Sequence, residues 1–158
     1  MALEIGDLAP SFSLYSSDKE LVQLSDLKGK NVVLLFFPLA FTSTCTRQLC
    51  ATRDDMEVFN TLNAEVFGIS VDSLHSLGKY KETYQLNFPL LSDFNKETVQ
   101  AYDVMYEQFS YNMRGVGKRA AFALDGNGII RYAEVLEDAG KIPDYEAIKN
   151  AIRILQPA

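Results

Sequence analysis

Val32 to Phe37 is an unbroken apolar run of strand character, and Glu65 to Val71 reads as a second buried strand. A strand that is apolar at successive positions, and not merely at alternate ones, has to be covered on both faces. Between the two runs the apolar period changes. From about Thr44 to Asn63, Cys45, Leu49, Met56 and Phe59 recur at spacings of four, seven and three, which puts them on one stripe of a helix. Strand, helix, strand in this order makes a parallel unit with a right-handed crossover. A chain built round such a unit is confined to α/β architectures.

The flanking segments narrow this further. Phe12 to Leu14 and Leu21 to Leu24 read as short strands about the polar turn Ser16-Ser17-Asp18-Lys19. Ser25 to Gly29 reads as one helical turn. Ser73 to Tyr84 reads as a second helix capped by Ser73, Phe88 to Leu91 as an extended piece, and Thr98 to Tyr102 as a short helix. Asp103 to Lys118 has little periodicity and reads as a long loop. Ala120 to Leu124 and Ile129 to Ala133 read as a hairpin across Asp125-Gly126-Asn127-Gly128. Asp144 to Leu155 closes the chain as a helix, with Asp144 as its cap or first residue. Without the N-terminal strands and the 72–118 segment, what remains is β-α-β, then a hairpin and a helix. That is the order of a thioredoxin-like core. The expected fold is therefore α/β, thioredoxin-like, with an N-terminal β-hairpin extension and an insert between the βαβ and ββα halves. It is expected to be a single domain over 1–158.

Composition excludes some roles. Charged residues make up 23% and the net charge is -6, so neither nucleic acid nor an anionic membrane is the expected partner. The longest apolar run is far too short to span a bilayer. The opening residues lack a basic region ahead of an apolar one, so no secretory leader is expected. Two cysteines in that context suggest thiols that do chemistry in a reducing, cytoplasmic compartment. Two cysteines and one histidine match no common zinc spacing, so no metal is expected. Gly126 and Gly128 lie in a hairpin turn, not in a phosphate loop.

The chemistry concentrates after the first buried strand, in Phe36-Phe37-Pro38-Leu39-Ala40-Phe41-Thr42-Ser43-Thr44-Cys45-Thr46-Arg47-Gln48-Leu49-Cys50. Ligands of parallel sheets bind beyond the carboxyl ends of the strands, where this loop falls. Cys45 stands where the helix should begin, and the positive end of a helix dipole favours a thiolate. Thr42, Ser43 and Thr44 are all suitable caps with hydroxyls near the sulfur. A buried structural thiol is the bland alternative for Cys45, a mere cap for Thr42, and a strand terminator for Pro38. Arg47, Arg53, Arg114, Arg119 and Arg131 are all available as a cationic partner, and the residues alone do not choose among them.

Pro38-x-x-x-Thr42-x-x-Cys45 resembles the signature of the peroxiredoxins, and the resemblance extends along nearly the whole chain. Gly6 to Leu14 resembles the family's opening strand and Phe88-Pro89-Leu90-Leu91-Ser92-Asp93 its middle. Arg119-Ala120-Ala121-Phe122-Ala123-Leu124-Asp125 followed by Gly128-Ile129-Ile130-Arg131 resembles the strand that carries the family's active-site arginine. Phe37 to Thr42 is similar to the alkyl hydroperoxide reductase E type. The Cys45-x-x-x-x-Cys50 pair is similar to the bacterioferritin-comigratory, or Q, type. The resemblance implies a thiol-dependent peroxidase that reduces hydrogen peroxide and small organic hydroperoxides with no cofactor. A thioredoxin-like or other dithiol would be its reductant. It also implies Cys45 as nucleophile, Thr42 and Arg119 about the reacting oxygens, and Pro38 as the residue that shapes the loop and shields the sulfur. The two subfamily likenesses point to a homodimer and a monomer respectively.

Cys50 shares a stripe with Asp54, Glu57 and Thr61 that looks solvated, so it is a candidate resolving cysteine, against an inert helix thiol as the alternative. Five helical residues correspond to a rotation of roughly 140° and a Cα separation of about 8.7 Å. A disulfide needs a separation of about 4.4–6.8 Å. Bond formation between Cys45 and Cys50 would therefore unwind the first turns of the helix. Two rival functions sit on the same fold. A thiol-disulfide oxidoreductase usually carries Cys-x-x-Cys, which this chain lacks. A thioredoxin-like binding module gives no reason for the Thr42 and Cys45 pairing. His75, on another helix, gives little support to a Cys-His hydrolase. Tyr106, Phe109, Tyr111 and Met113 make an aromatic loop, expected either to pack on the core or to form a collar or dimer contact.

Overall fold

The structure is a computed structural model that describes residues 3–155, so residues 1–2 and 156–158 of the expected domain lie outside it. It is built on one seven-stranded sheet in the order β2-β1-β5-β4-β3-β6-β7. The strands are β1 (Ser13–Ser16), β2 (Leu21–Gln23), β3 (Asn31–Phe36), β4 (Ala64–Ser70), β5 (Leu90–Ser92), β6 (Arg119–Leu124) and β7 (Ile130–Leu136). The helices are α1 (Ser43–Thr61), α2 (Leu74–Tyr84), α3 (Glu97–Ala101) and α4 (Tyr145–Ile154). Among the described residues no helix is long and apolar enough to cross a membrane.

The apolar run of β3 explains the layers. Successive side chains of a strand point to opposite faces. Val33, Leu35 and Phe37 join one buried cluster with Met56 and Phe59 of α1, Leu77 and Tyr80 of α2, and Ile148 and Ile152 of α4. Val32, Leu34 and Phe36 join the other, with Phe67, Ile69, Val99, Tyr102 and Phe122. Both faces are covered, as a continuously apolar strand requires. β3 pairs parallel with β4 through α1 and antiparallel with β6. Gly68 on β4 permits the close packing beside the loop that follows β3. A Cβ there would come 2.8 Å from Leu90 Cδ2 and 3.3 Å from Phe37 Cε1.

The expected thioredoxin-like order is present, and the extension and insert prove to be parts of the same sheet. β5, from the 72–118 segment, pairs parallel with β4. β1 pairs antiparallel with β5 and with β2, so the N-terminal hairpin prolongs that edge. The helical turn expected at Ser25 to Gly29 is a 3-10 turn over Leu24–Leu27. β7 runs on to Leu136, beyond the Ala133 end expected from apolar pattern, because backbone pairing with β6 continues to Arg119↔Leu136. Asp144 caps α4, accepting the N–H of Ala147 at 3.1 Å, and Ser73 caps α2 by accepting that of Ser76. Asp144→Ala removes a cap of this kind and should lower the unfolding free energy by about 1 kcal/mol. A urea titration checks this, and the second-order rate of peroxide consumption should stay at the wild-type value.

Candidate active site

The register of β3 against β6 builds the site. Phe36 pairs with Ala120, so the residue before Ala120 falls level with the end of β3, where the chain turns into the Pro38 loop. That residue is Arg119. Its side chain is 1% exposed, and it reaches the first turn of α1 across the mouth of the sheet. One terminal nitrogen, Nη1, donates to Cys45 Sγ at 3.3 Å and to Gln48 Oε1. The other, Nη2, donates to the carbonyl of Ala139 at 2.8 Å. Among the described residues these partners are a sulfur, an amide oxygen and a main-chain carbonyl; none is a carboxylate. A guanidinium keeps its charge when buried, and a buried charge without a counter-ion is costly. The sulfur is the one partner able to supply the missing anion.

The other arginines go elsewhere. Arg47 donates to the carbonyl of Gly140 from the surface. Arg53 bonds Asp54 and the carbonyl of Tyr84. Arg131 pairs with Asp125 at 2.8 Å beside the hairpin turn, and Arg114 is exposed. Geometry therefore selects Arg119 from the five.

Cys45 is the third residue of α1 and is fully buried. The first turn of a helix has N–H groups with no intrahelical acceptor, and they carry the positive end of the dipole. Thr42 is the N-cap residue by backbone conformation, with φ -91° and ψ 154°, but its side chain makes no capping bond. Its hydroxyl donates instead to the carbonyl of Leu39 at 2.8 Å. The proton is thus committed to the loop and not to the sulfur, which leaves the oxygen lone pairs as acceptors on an exposed residue. Pro38 is buried at the end of β3. The loop is pinned from β4's side by Asp72, whose Oδ2 accepts the N–H of Ala40 at 2.8 Å and the hydroxyl of Ser70 at 2.7 Å. Phe41 adopts a left-handed backbone, φ 67°, which is uncommon for a bulky residue. Its ring packs on Tyr80 at 4.8 Å, which holds it there.

Gln48, Tyr80, Tyr145 and Asp72 carry much of this geometry and were not among the residues singled out from sequence. Gln48 had a readable signal. It lies three residues after Cys45, on the same helix face, as a polar residue within an apolar stripe. It is fully buried, and its Nε2, like Arg119 Nε, has no partner among the described groups. Tyr145 donates to the carbonyl of Gln48 at 2.7 Å, and Thr52 Oγ1 lies 2.6 Å from the same phenol. Tyr80 and Thr46 share a hydrogen bond of 2.9 Å. Burial pushes both phenols well above the ordinary tyrosine range, so each remains a neutral hydroxyl at physiological pH.

Cys50 lies on the same unbroken helix as Cys45, and both thiols are free. It is half-buried, while Asp54, Glu57 and Thr61 on its stripe are exposed, as expected. The aromatic loop divides. Tyr106 and Phe109 stack at 5.1 Å and pack against the core, while Tyr111 is 95% exposed.

Residues 5–133 match the model of the AhpC/TSA family. The chain belongs to the AhpC/TSA family. It is similar to peroxiredoxin Bcp of Bacillus subtilis (strain 168), at 39% identity over 99% of this chain and 97% of that protein. The crystal structure of peroxidoxin BcpB from Mycobacterium tuberculosis superposes with a TM-score of 0.85 at 26% identity, covering 98% of this chain and 99% of that one. A mutant of PrxQ from Xylella fastidiosa gives a TM-score of 0.85 at 26% identity, covering 98% of each chain. The peroxiredoxin resemblance read from the sequence holds, and with it the enzyme class, a thiol-dependent peroxidase. These relatives carry the bacterioferritin-comigratory and Q names, the side to which the Cys45 and Cys50 spacing pointed.

Gln48→Leu keeps the volume of the side chain but removes the acceptor that orients Arg119. A hydrogen bond to a charged group is worth about 1.5–3 kcal/mol. Single-turnover oxidation of Cys45 should slow by about ten-fold or more in this variant, and rapid-quench thiol counting reads it.

Proposed function

We propose that Cys45 is the peroxidatic thiol of this enzyme, that Arg119 and Thr42 hold the peroxide against it, and that Cys50 resolves the product. The observation that supports this most is the buried guanidinium of Arg119, 3.3 Å from Cys45 Sγ and without a carboxylate partner among the described residues. A cation so placed is complementary to an anionic sulfur and to the negative charge that develops on oxygen as the O–O bond breaks.

The first step is a displacement at oxygen. The sulfur of Cys45 forms an S–O bond, the O–O bond breaks, and the departing alkoxide or hydroxide takes a proton to leave as alcohol or water. Cys45 is oxidised to a sulfenic acid and the hydroperoxide is reduced. Thr42, whose own proton is spent on Leu39, accepts the hydrogen bond of the peroxide O–H and so orients it. The free N–H groups of the first turn of α1 and Arg119 face the oxygens. Pro38, buried below the loop, keeps water from the sulfur's inner side. Hydrogen peroxide and small organic hydroperoxides are the substrates.

In the second step the sulfur of Cys50 attacks the sulfenic sulfur of Cys45. The S–S bond forms, the S–O bond breaks, and the oxygen leaves as water with the thiol proton. In an intact α1 the two sulfurs are too far apart for this, so the first turns unwind. Met56 and Phe59, buried in the core, end the unwinding. A thioredoxin-like or other dithiol then reduces the disulfide, which fits a reducing, cytoplasmic setting. The cycle is compatible with a monomer or a homodimer.

Cys45→Ser should abolish turnover with hydrogen peroxide in a coupled dithiol assay; a tenth of wild-type activity would refute its role. Thr42→Val should slow oxidation by about ten-fold, or about 1.4 kcal/mol. Cys50→Ser should still consume one equivalent of peroxide and stall as a sulfenic acid, prone to further oxidation. Peptide mapping reads that product. A free Cys50 beside sulfenic or sulfinic Cys45 in the treated wild type would replace the two-cysteine cycle with direct attack by the reductant.

A further inference from the structure

The first turns of α1 are held to the body of the protein by a few identifiable clasps, and they differ in how they respond to oxidation. Arg119 grips Cys45 and Gln48. Tyr145 of α4 donates to the carbonyl of Gln48, and Leu49 is fully buried in the core. Thr46 is bonded to Tyr80 at 2.9 Å. Beyond Cys50 the helix is fixed by Thr52 on Tyr145, by Arg53 Nη1 on the carbonyl of Tyr84 at 2.7 Å, and by Met56 and Phe59 in the core. The Arg119 grip is on the reacting sulfur itself, so it changes when Cys45 is oxidised. The Thr46 clasp involves no charge and does not change with the redox state of Cys45.

Tyr80 is well placed to act as a fixed anchor. It is fully buried on α2. Its ring lies 6.2 Å from Phe37, 4.8 Å from Phe41 and 5.4 Å from Tyr84. Phe41 thus ties the loop before Cys45 to the same ring whose hydroxyl ties the residue after it. Unwinding of residues 45–49 has to break the Thr46 bond and loosen the Phe41 contact.

We propose that the Thr46–Tyr80 hydrogen bond is a latch on the first turn of α1, and that Tyr80 is a positioning residue that sets how fast sulfenic Cys45 is released to Cys50. The inference rests on the two-cysteine reading above. Because unwinding precedes attack, the observed rate of disulfide formation scales with the unwound population. A tighter latch lengthens the life of the sulfenic acid in the folded site, where a second peroxide converts it to sulfinic acid. Tyr80 would therefore govern the choice between disulfide formation and over-oxidation without touching peroxide.

The test uses the full chain as wild type, Tyr80→Phe, Thr46→Val and the double variant. Each is mixed with one equivalent of hydrogen peroxide, quenched over time and analysed by mass. Tyr80→Phe keeps the ring and removes only the hydroxyl. It should form the disulfide roughly three- to ten-fold faster, the factor that the loss of one neutral hydrogen bond supports. Its first oxidation step should stay within about two-fold of wild type, and the peroxide concentration needed for half over-oxidation should rise in step with resolution. Thr46→Val should match it, and the double variant should be no faster than either single one, since both remove the same bond. A wild-type or slower resolution rate in both single variants overturns the latch while leaving the Cys50 role intact. Absence of the disulfide in wild type overturns both, and is recognised because it appears before any variant is compared.

Discussion

The site depends on one buried charge. Arg119 is sealed at the start of β6, beside the carboxyl end of β3, with a sulfur and two neutral oxygens as its partners among the described residues. Burying a guanidinium in this way lowers stability unless something anionic shares the space. The fold accepts that cost through the β3 and β6 pairing, which leaves the first residue of β6 no other place to go. Gln48 and the carbonyl of Ala139 then fix the direction of its nitrogens. In the proposed reaction the cation is in place before substrate arrives and needs no reorganisation as charge develops.

In the proposed cycle the same helix has to be rigid for one half and yielding for the other. Rigidity comes from neighbours and not from the helix alone. Thr42 makes no capping bond, so the start of α1 is held by Arg119, Tyr80 and Tyr145 from three other elements. The part beyond Cys50 is held by core packing of Met56 and Phe59. Leu49, fully buried in the same cluster as Met56 and Phe59, adds apolar packing to the first turns, so opening them exposes that side chain as well. Local opening of such a segment is cheaper than global unfolding because few apolar side chains are exposed by it.

Much of this was readable from sequence. The continuous apolar run identified β3, the mostly apolar stretch from Glu65 to Val71 identified β4, and the change of period between them identified α1. Cys45, Thr42 and Pro38 lie within one loop, so their association needed no tertiary information. Asp144 and Ser73 were legible as caps because capping is local. Arg119 was singled out only through the family resemblance and not by any local pattern, since it lies 74 positions from Cys45 and only strand register brings them together. Tyr80 and Asp72 were missed for the same reason: each acts across the sheet on a loop far away in the chain. β5 was too short for its pattern to show that it pairs with β4, so the N-terminal hairpin read as an appendage and not as the edge of the same sheet.

The central claim is that a fixed positive charge beside Cys45, and not merely a well-packed thiol, makes it react with peroxide. Arg119→Met removes the charge and the donors but keeps a long side chain in the space. The most direct measurement is the second-order rate constant for Cys45 oxidation by hydrogen peroxide in this variant, followed by rapid quench in a protein shown to be folded. The account predicts a fall of ten-fold or more, at least about 1.4 kcal/mol of transition-state stabilisation. A rate equal to that of the wild type would contradict it.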